Sequence, residues 1–366
     1  MGLTALQAQE PGIGAAEVAE YRGATTAARF GDPQAEFAAL RERCGVYDLG
    51  YRAKISLTGG DRVRWLNGMV TNNIRDLASG LGVYAFLLNA QGHILGDLYA
   101  HNRGESIVVD TDRGQLEKML ATFDHYIIMD DVEVKDLSTE VTALGIGGPK
   151  AHEILSKAEF AVPQMKALQS QSAPWNGVDC TLVKTDNPQH PAYEVWLAPS
   201  GVKSLWQALV AAGATPVGTQ ALEWHRIVTG IPRYGVDIRE RDLPQETEQA
   251  RALNFNKGCY VGQEIVERIR SRGAVHRMFT GFVADAPVEP GSKVLMGEKP
   301  VGEITSAARV RLANADRIVA LGYIRREVGT AGHEVKIGEV TATVAALPIT
   351  EDSLAHHTST AQQRPA

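Results

Sequence analysis

The chain has 366 residues, of which 44% are hydrophobic and 22% charged, and its formal net charge at pH 7 is −6. This length allows two or three domains, and the composition is typical of a folded globular protein. No apolar run approaches the roughly 18 residues that a membrane-spanning helix needs, so we predict no membrane segment. The acidic net charge argues against a nucleic-acid surface that covers the whole protein.

Residues 1–30 are rich in Ala, Gly, Gln and Glu, which predicts a flexible N-terminal arm with a short helix near residues 15–21. A first α+β domain is predicted over residues 31–139. Hydrophobic periodicity in this domain predicts helices at residues 34–43, 62–69 and 113–123. Alternating patterns between turn residues predict strands at 53–57, 82–88, 94–101, 106–109 and 132–134.

A second α+β domain is predicted over residues 140–277, because the same order of elements recurs there. Its strands are predicted at 141–146, 180–184 and 193–197, and its helices at 150–157 and 200–212. Residues 278–350 contain short Val-rich and Thr-rich segments with frequent turns, which indicates a C-terminal β-barrel. Residues 351–366 are polar and are predicted to form a disordered tail.

Three cysteines, Cys44, Cys180 and Cys259, lie far apart, with no C-x-x-C pair and no Cys/His cluster at zinc spacing. A closed structural metal site is therefore not expected. The N-terminus lacks the basic region and the continuous apolar stretch of a secretory signal. We predict a cytoplasmic protein whose thiols are reduced.

The most informative segment is Lys257-Gly258-Cys259-Tyr260-Val261-Gly262-Gln263-Glu264. Its two glycines would let the backbone turn tightly, and the Lys257 ammonium would favour the thiolate of Cys259. This pattern predicts a reactive or ligating cysteine. The alternative is a buried structural cysteine in a strand-to-helix turn.

A local basic run follows this segment and consists of Arg268, Arg270, Arg272, His276 and Arg277. We interpret it as a solvated edge, with a weak tRNA contact as the alternative.

Two longer stretches resemble a known superfamily. CGVYDLGYRAKISLTGGDRVRWLNGMVTNNI and YAFLLNAQGHILGDL resemble the aminomethyltransferase (T-protein) superfamily of the glycine cleavage system. RIVTGIPRYGVDIRERDLPQET, followed by NKGCYVGQEIVER, resembles its YgfZ branch of folate-binding proteins that assist iron–sulfur cluster assembly and maintenance. The resemblance implies two ferredoxin-like α+β halves and a C-terminal barrel in a three-domain ring, with tetrahydrofolate in a central cavity.

Carried over by position, the resemblance implies that Cys259 is the functional thiol and a shared iron–sulfur ligand, with Lys257 as its cationic neighbour. The remaining motif residues are Gly258, Tyr260, Gly262, Gln263 and Glu264. The resemblance also implies folate-binding roles for Arg226, Asp97 and Asp110. A guanidinium suits a folate carboxylate because it offers two parallel donors. The alternatives are an internal ion pair for Arg226 and capping of the turn at residues 89–92 for Asp97.

The chain departs from the superfamily pattern at two positions. Gly96 stands where the T-protein has its catalytic aspartate, and glycine cannot handle a proton. Asp97 is next to it, but neighbouring strand residues point to opposite faces. The pterin-binding glutamate falls near Gln189 and His190, so that folate contact is expected to be lost or altered. We therefore do not expect a conventional aminomethyltransferase.

Three functions remain open. The first is a folate-binding factor in which Cys259 handles a transient iron–sulfur cluster shared with assembly proteins or client enzymes, including tRNA-modifying enzymes. One thiolate cannot hold such a cluster alone, so a partner or small thiols would complete it. The second is a tetrahydrofolate-dependent aminomethyltransferase or other one-carbon transferase, against which Gly96 argues. The third is a folate-binding module that contacts tRNA through the basic run.

Overall fold

The computed structural model of the protein describes residues 2–9, 13–273, 275–351 and 354. The predicted tail, apart from residues 351 and 354, lies outside this part of the chain. The strands are β1 Glu17–Tyr21, β2 Ala24–Arg29, β3 Gly45–Asp48, β4 Arg52–Thr58, β5 Gly82–Leu88, β6 Ile94–Asn102, β7 Ile107–Asp112, β8 Glu133–Asp136, β9 Thr142–Gly147, β10 Ser170–Ser172, β11 Cys180–Lys184, β12 Ala192–Leu197, β13 Thr215–Pro216, β14 Arg277–Ala284, β15 Lys293–Met296, β16 Lys299–Leu312, β17 Ala315–Arg325, β18 Glu334–Ile337 and β19 Val340–Ala345. The α-helices are α1 Pro33–Glu42, α2 Arg62–Met69, α3 Arg113–Tyr126, α4 Ala151–Lys157, α5 Val202–Ala211, α6 Thr219–Thr229 and α7 Gln263–Arg272.

The chain divides into two compact units. The first comprises Met1–Leu87, Gly96–Leu222 and Asn256–Tyr260, and the second comprises Leu88–Leu95, Glu223–Phe255 and Val261–Ala366. The predicted domain boundaries near residues 139 and 277 stay a prediction.

The first unit contains a five-stranded sheet with the order β5-β6-β7-β4-β8, which we call sheet one. Helices α2 and α3 cover one face of it, and Trp65 of α2 meets Phe123 of α3 edge to face, with ring centroids 5.2 Å apart. Side chains alternate between the two faces of a strand, so β4, β6 and β7 present a second set of residues on the face away from these helices.

The first unit also contains a six-stranded sheet with the order β10-β11-β12-β9-β3-β13, which we call sheet two. Strand β3 precedes β4 in the chain but pairs antiparallel with β9 in this second sheet. Helices α4 and α5 pack against it through a core that includes Leu155, Leu205 and Trp206. The predicted first domain therefore lends one strand to the sheet of the second half.

The N-terminal segment is not a flexible arm with a helix at residues 15–21, so that prediction is wrong. Strands β1 and β2 form an antiparallel hairpin, in which Ala24 is fully buried. Thr4 and Thr26 both donate hydrogen bonds to the buried carboxylate of Asp48 in β3. These side-chain bonds, which composition does not reveal, attach the segment to sheet two.

The second unit contains a closed barrel with the strand order β14-β17-β16-β15-β18-β19. The barrel closes because β14 pairs antiparallel with both β17 and β19. Its interior is apolar and includes Phe282, Val294, Ile304, Ile324 and Val344. The predicted α+β architecture with a C-terminal β-barrel is confirmed.

Candidate functional site

Lys257 attaches the cysteine motif to the first unit through its side chain. Its ammonium donates hydrogen bonds to the carbonyl oxygens of Asn67 at 2.5 Å, Val70 at 2.5 Å and Asn72 at 2.8 Å. Two of these carbonyls belong to the end of α2 and its C-cap, where a helix favours a cation. Lys257 also lies 4.8 Å from the ring centroid of Tyr260, which is buried.

This arrangement changes the role expected for Lys257. An ammonium has three N–H donors, and the three carbonyls use them all, so none is left for the Cys259 thiolate. Burial lowers the pKa of Lys257 to about 7, and the Arg75 guanidinium acts in the same direction. Lys257 therefore positions the motif, and the prediction that it serves as the cationic partner of Cys259 is not supported.

Cys259 is exposed, whereas Cys44 and Cys180 are buried. Burial raises the pKa of Cys44 to about 12 and that of Cys180 to about 11, so neither forms much thiolate at neutral pH. Cys259 is thus the accessible thiol. The guanidinium of Arg75 lies beside the preceding residue, 3.6 Å from the position that a Cβ of Gly258 would take.

The second half of the motif opens helix α7. Gly262 has φ +81°, and a Cβ there would lie 2.5 Å from the carbonyl oxygen of Asn89. Only glycine fits both this backbone conformation and this close approach. Gln263 and the exposed Glu264 then form the first turn of α7.

A second group of candidate residues lies between the two sheets of the first unit, and we call it the intersheet cluster. Its members are Arg52, Lys54, Tyr84, Asp97, Tyr99, His101 and Asp110 from sheet one and Tyr47, Glu194 and Trp196 from sheet two. The sheets meet here, because the Lys54 ammonium lies 4.8 Å from the Trp196 ring centroid and the Tyr99 hydroxyl lies 3.4 Å from Asp186.

Asp97 belongs to this cluster and Gly96 does not. The Asp97 carboxylate accepts hydrogen bonds from Tyr84 Oη and Gln115 Nε2, each at 2.8 Å. A Cβ on Gly96 would instead lie 2.9 Å from Gln115 Oε1 and 3.6 Å from Met119 Cε, both on α3. Position 96 thus faces α3 and Asp97 faces the cluster, and the predicted folate contact of Asp97 stays a prediction.

The pKa of the Asp97 carboxyl group is raised above its usual value. Burial raises its pKa and the nearby Asp112 raises it further, while the bonds from Gln115 and Tyr84 oppose both effects. Asp97 nevertheless remains partly exposed. A carboxyl group with a raised pKa holds its proton to a higher pH than a free carboxyl group does.

Glu194 is a site residue that the sequence analysis missed. It is partly exposed on β12 and accepts a hydrogen bond of 2.7 Å from Trp196 Nε1. Burial raises its pKa, with a further contribution from Asp110. The sequence feature that could have identified Glu194 is its position as a single carboxylate in an otherwise apolar strand, Tyr193-Glu194-Val195-Trp196.

Gln189 and His190, which the resemblance places at the position of the superfamily's pterin-binding glutamate, lie in a local turn. The side-chain oxygen of Asn187 accepts hydrogen bonds from the backbone N–H groups of Gln189 at 2.9 Å and His190 at 3.2 Å. The carboxylate that faces the cluster comes from Glu194 in the following strand.

The Asp110 carboxylate forms ion pairs with two cations of its own sheet. Its Oδ1 accepts from Lys54 Nζ at 2.9 Å and from Arg52 Nε at 3.1 Å, and Asp110 and Lys54 are almost fully buried. Burial raises the pKa of Asp110, but the two cations outweigh burial and hold it below its usual value. The geometry thus favours a positioning role for Asp110, and its predicted contact with a cofactor stays a prediction.

Arg226 is an internal ion-pair residue of the second unit. Its Nε and Nη2 pair with Glu223, its Nη1 contacts Asp237 at 2.6 Å and the Ile231 carbonyl at 3.3 Å, and its Nη2 donates to Ser306 at 2.9 Å. These contacts account for all five N–H donors of the guanidinium. These contacts support the ion-pair alternative for Arg226, and its predicted contact with a folate carboxylate stays a prediction.

The basic run is not a continuous surface of free cations. Arg277 pairs with Asp242 at 2.7 Å and Glu246 at 2.8 Å, and Arg270 lies over the ring of Phe255 with its guanidinium 4.4 Å from the centroid. The Arg272 side chain lies outside the described residues. This geometry supports the solvated edge over the tRNA contact.

Within the described residues, no group of three or more His, Cys, Asp or Glu side chains could hold a metal ion. No described helix is both long enough and apolar enough to span a membrane.

The described residues form an α+β protein with a polar cluster between two sheets and an exposed thiol. The GCVT N-terminal domain family matches residues 11–257, and the chain belongs to this family. The chain is 28% identical over 341 residues to an aminomethyltransferase of Rubrobacter xylanophilus, covering 91% of this chain and 90% of the relative. It is 28% identical over 334 residues to an aminomethyltransferase of Streptomyces coelicolor, covering 88% of each chain.

Among solved structures, the glycine cleavage system aminomethyltransferase T of Bartonella henselae has the same fold, with a TM-score of 0.83. It covers 92% of this chain and 95% of its own length at 19% sequence identity. At this identity the likeness supports the fold alone.

We expect Cys259 to react with iodoacetamide faster than Cys44 and Cys180 at pH 8, because it is exposed and the other two are buried thiols with raised pKa values. Peptide mass spectrometry after timed labelling measures the three rates. Labelling in urea, where all three thiols are accessible, is the control. Protection of Cys259 in the native protein would contradict its accessibility.

We expect Arg226→Ala to lower the free energy of unfolding by about 3–5 kcal/mol, because it leaves the buried Asp237 carboxylate without its cation. Urea denaturation of the full chain measures the change. The control is Arg309→Ala, whose ion pair with Asp316 is exposed and worth about 0–1 kcal/mol. Unchanged stability in Arg226→Ala would show that the guanidinium is free for another role.

Proposed function

We propose that this protein binds a reduced folate on the intersheet cluster and acts, as the YgfZ branch does, in iron–sulfur cluster assembly or repair. The observation that carries the proposal is the pair of partly exposed carboxyl groups, Asp97 and Glu194, each bonded by an aromatic side chain of the cluster, in a member of the GCVT N-terminal domain family. The relatives named above are aminomethyltransferases, and this proposal extends their family to a related role.

The chemistry of the cluster fits a folate. A pterin ring offers an amino group and a ring N–H to one acceptor, and Glu194 supplies a carboxylate for them. The rings of Tyr47, Tyr99 and Trp196 offer surfaces on which a flat heterocycle can pack. A bound reduced folate would supply ring nitrogens that carry a one-carbon unit, and Asp97 would hold or release a proton beside them.

The thiol of Cys259 gives the proposed iron–sulfur role its chemistry. Iron–sulfur clusters take cysteine thiolates, most often four, as ligands. The described part of this chain offers one exposed thiol, so the cluster is cargo that a scaffold or client protein shares with Cys259. The proposal keeps the cytoplasmic location predicted from the sequence, where such a thiol stays reduced.

A one-carbon transferase is the second candidate, and the position of Asp97 favours it. The sequence lacks a carboxylate at position 96, which speaks against one-carbon transfer, but that position faces α3. Asp97 supplies a carboxyl group to the cluster from the next position. Gly96 therefore does not distinguish the iron–sulfur role from the one-carbon transferase. An assay of turnover distinguishes them.

We expect 5-formyltetrahydrofolate to bind the wild type in a calorimetric titration and Glu194→Gln to weaken this binding roughly ten- to hundredfold, as expected when a charged acceptor is lost. Because the pKa of Glu194 is raised, wild-type affinity should fall as the pH drops from neutral toward that pKa, while the variant should lack this component. Glu153→Gln, at an exposed ion pair on α4, is the matched control. Absent wild-type binding would exclude the folate role, and an unchanged Kd in Glu194→Gln would remove Glu194 from the site.

We expect the wild type to complement a strain that lacks its own YgfZ-type protein, scored by the activity of iron–sulfur tRNA-modifying enzymes. Cys259→Ser should fail, and Cys180→Ala, which alters a buried thiol, should succeed if it is folded. Failure of the wild type would reject the iron–sulfur role. Turnover of an aminomethyl donor that depends on tetrahydrofolate and is abolished by Asp97→Asn would favour the transferase instead.

A further inference from the structure

A cavity lies in the first unit, at the far end of β6 from Asp97. Its volume is about 400 Å³, within the range of small-molecule sites. Arg103, Val108, Thr181, Trp196 and Leu197 contribute to its lining, and Lys54 lies on its inner wall. Arg103 lies six residues beyond Asp97, or roughly 20 Å along an extended chain. The cavity is therefore separate from the Asp97 end of the intersheet cluster.

Arg103 is the distinctive residue of this cavity. Its Nη2 donates a hydrogen bond of 3.1 Å to Thr181 Oγ1, while its Nη1 is buried and has no hydrogen-bond partner in the described part of the chain. Burial alone lowers the pKa of this guanidinium, which shows that no described carboxylate offsets the loss of water around it. The Arg103 guanidinium borders the cavity, and a planar guanidinium suits a carboxylate because it offers parallel N–H donors.

The other charges at the cavity are already balanced or exposed. The Lys54 ammonium is neutralised by Asp110 at 2.9 Å. Glu140 also lines the cavity but is exposed and pairs with Lys135 at 2.7 Å. Asp179 is exposed, so solvent screens its charge. Arg103 is thus the half-buried charge that a ligand anion can neutralise.

The wall beside Arg103 is apolar and aromatic. Thr181, which holds Arg103, is paired across the strands with Trp196, and such pairs lie about 4.5–5.5 Å apart. The buried Trp196 ring is thus close to the guanidinium, and Val108 and Leu197 extend the apolar surface. An anion bound at Arg103 would place a hydrophobic body against this wall.

We propose that this cavity binds a small monocarboxylate with an aromatic or branched apolar body, its carboxylate on Arg103 and its body against Trp196. Inorganic anions do not fit the proposal, because they cannot use the apolar wall. The cavity shares Lys54 and Trp196 with the intersheet cluster, but the residue that would hold the carboxylate, Arg103, is not a member of that cluster.

The test is an NMR titration of the full-length protein that follows the indole N–H signal of Trp196, assigned with Trp196→Phe. The probes are phenylacetate, its neutral analogue phenylacetamide, and acetate, which lacks the apolar body. We expect phenylacetate to give a saturable single-site shift and each of the other two probes to bind at least tenfold more weakly. Absence of a saturable phenylacetate shift at millimolar concentration, or equal binding of phenylacetamide, would overturn the proposal.

Two variants locate the site. Arg103→Gln should weaken phenylacetate binding roughly ten- to hundredfold, and Thr181→Val, which removes the hydroxyl that orients Arg103, should weaken it less. Both should leave 5-formyltetrahydrofolate affinity unchanged, and Asp97→Asn should leave phenylacetate affinity unchanged. If Arg103→Gln binds phenylacetate as the wild type does, Arg103 is not the receptor. If Arg103→Gln weakens folate binding equally, the cavity belongs to the folate site and the proposal of a separate site fails.

Discussion

The inner face of sheet one depends on a buried arrangement of charges around Asp110. Two cations, Lys54 and Arg52, share one carboxylate oxygen, and Arg52 also pairs with Asp112 at 2.7 Å. Arg22, in the turn of the N-terminal hairpin, pairs with Asp112 at 3.2 Å and extends the network to that segment. Each ion would lose water on burial at a large cost, so every member needs its partners in place. The hairpin, β4 and β7 are therefore held in one arrangement, and the accessible groups of the cluster are built on it.

Hydrogen bonds from the Lys257 side chain hold the start of the cysteine motif. Lys257 inserts an ammonium among three backbone carbonyls at the end of α2, and these acceptors satisfy a charge that burial would otherwise disfavour. Cys259 follows Lys257 by two residues, so an exposed thiol lies next to an anchored part of the backbone. A lysine that seemed suited to activating a thiol instead holds the backbone beside it.

One face of β6 packs against α3, and the other face contributes Asp97 to the intersheet cluster. Gly96 is fully enclosed beneath α3, where even a single Cβ would press on Gln115, while Asp97 reaches the intersheet cluster. Gln115 contributes to both, because its oxygen accepts the Asp97 backbone N–H at 3.0 Å and its nitrogen donates to the Asp97 carboxylate. A shift of one residue along a strand moves a functional group from one layer of the fold to the next.

The sequence by itself determined the class of fold, most of the helices and strands that alternate clearly, the barrel, and the accessible thiol in its glycine-containing motif. Those features follow from local periodicity, turn residues and a short, specific motif. It did not reveal that β3 joins the second sheet, that residues 17–29 form a hairpin, or that Arg226 is fully paired. Alternation shows that a strand has two faces, but it does not show which layer covers the second face. Lys54 and Glu194 therefore resembled solvent-facing residues in half-buried strands, and only the packing of one sheet on the other placed them inside a site.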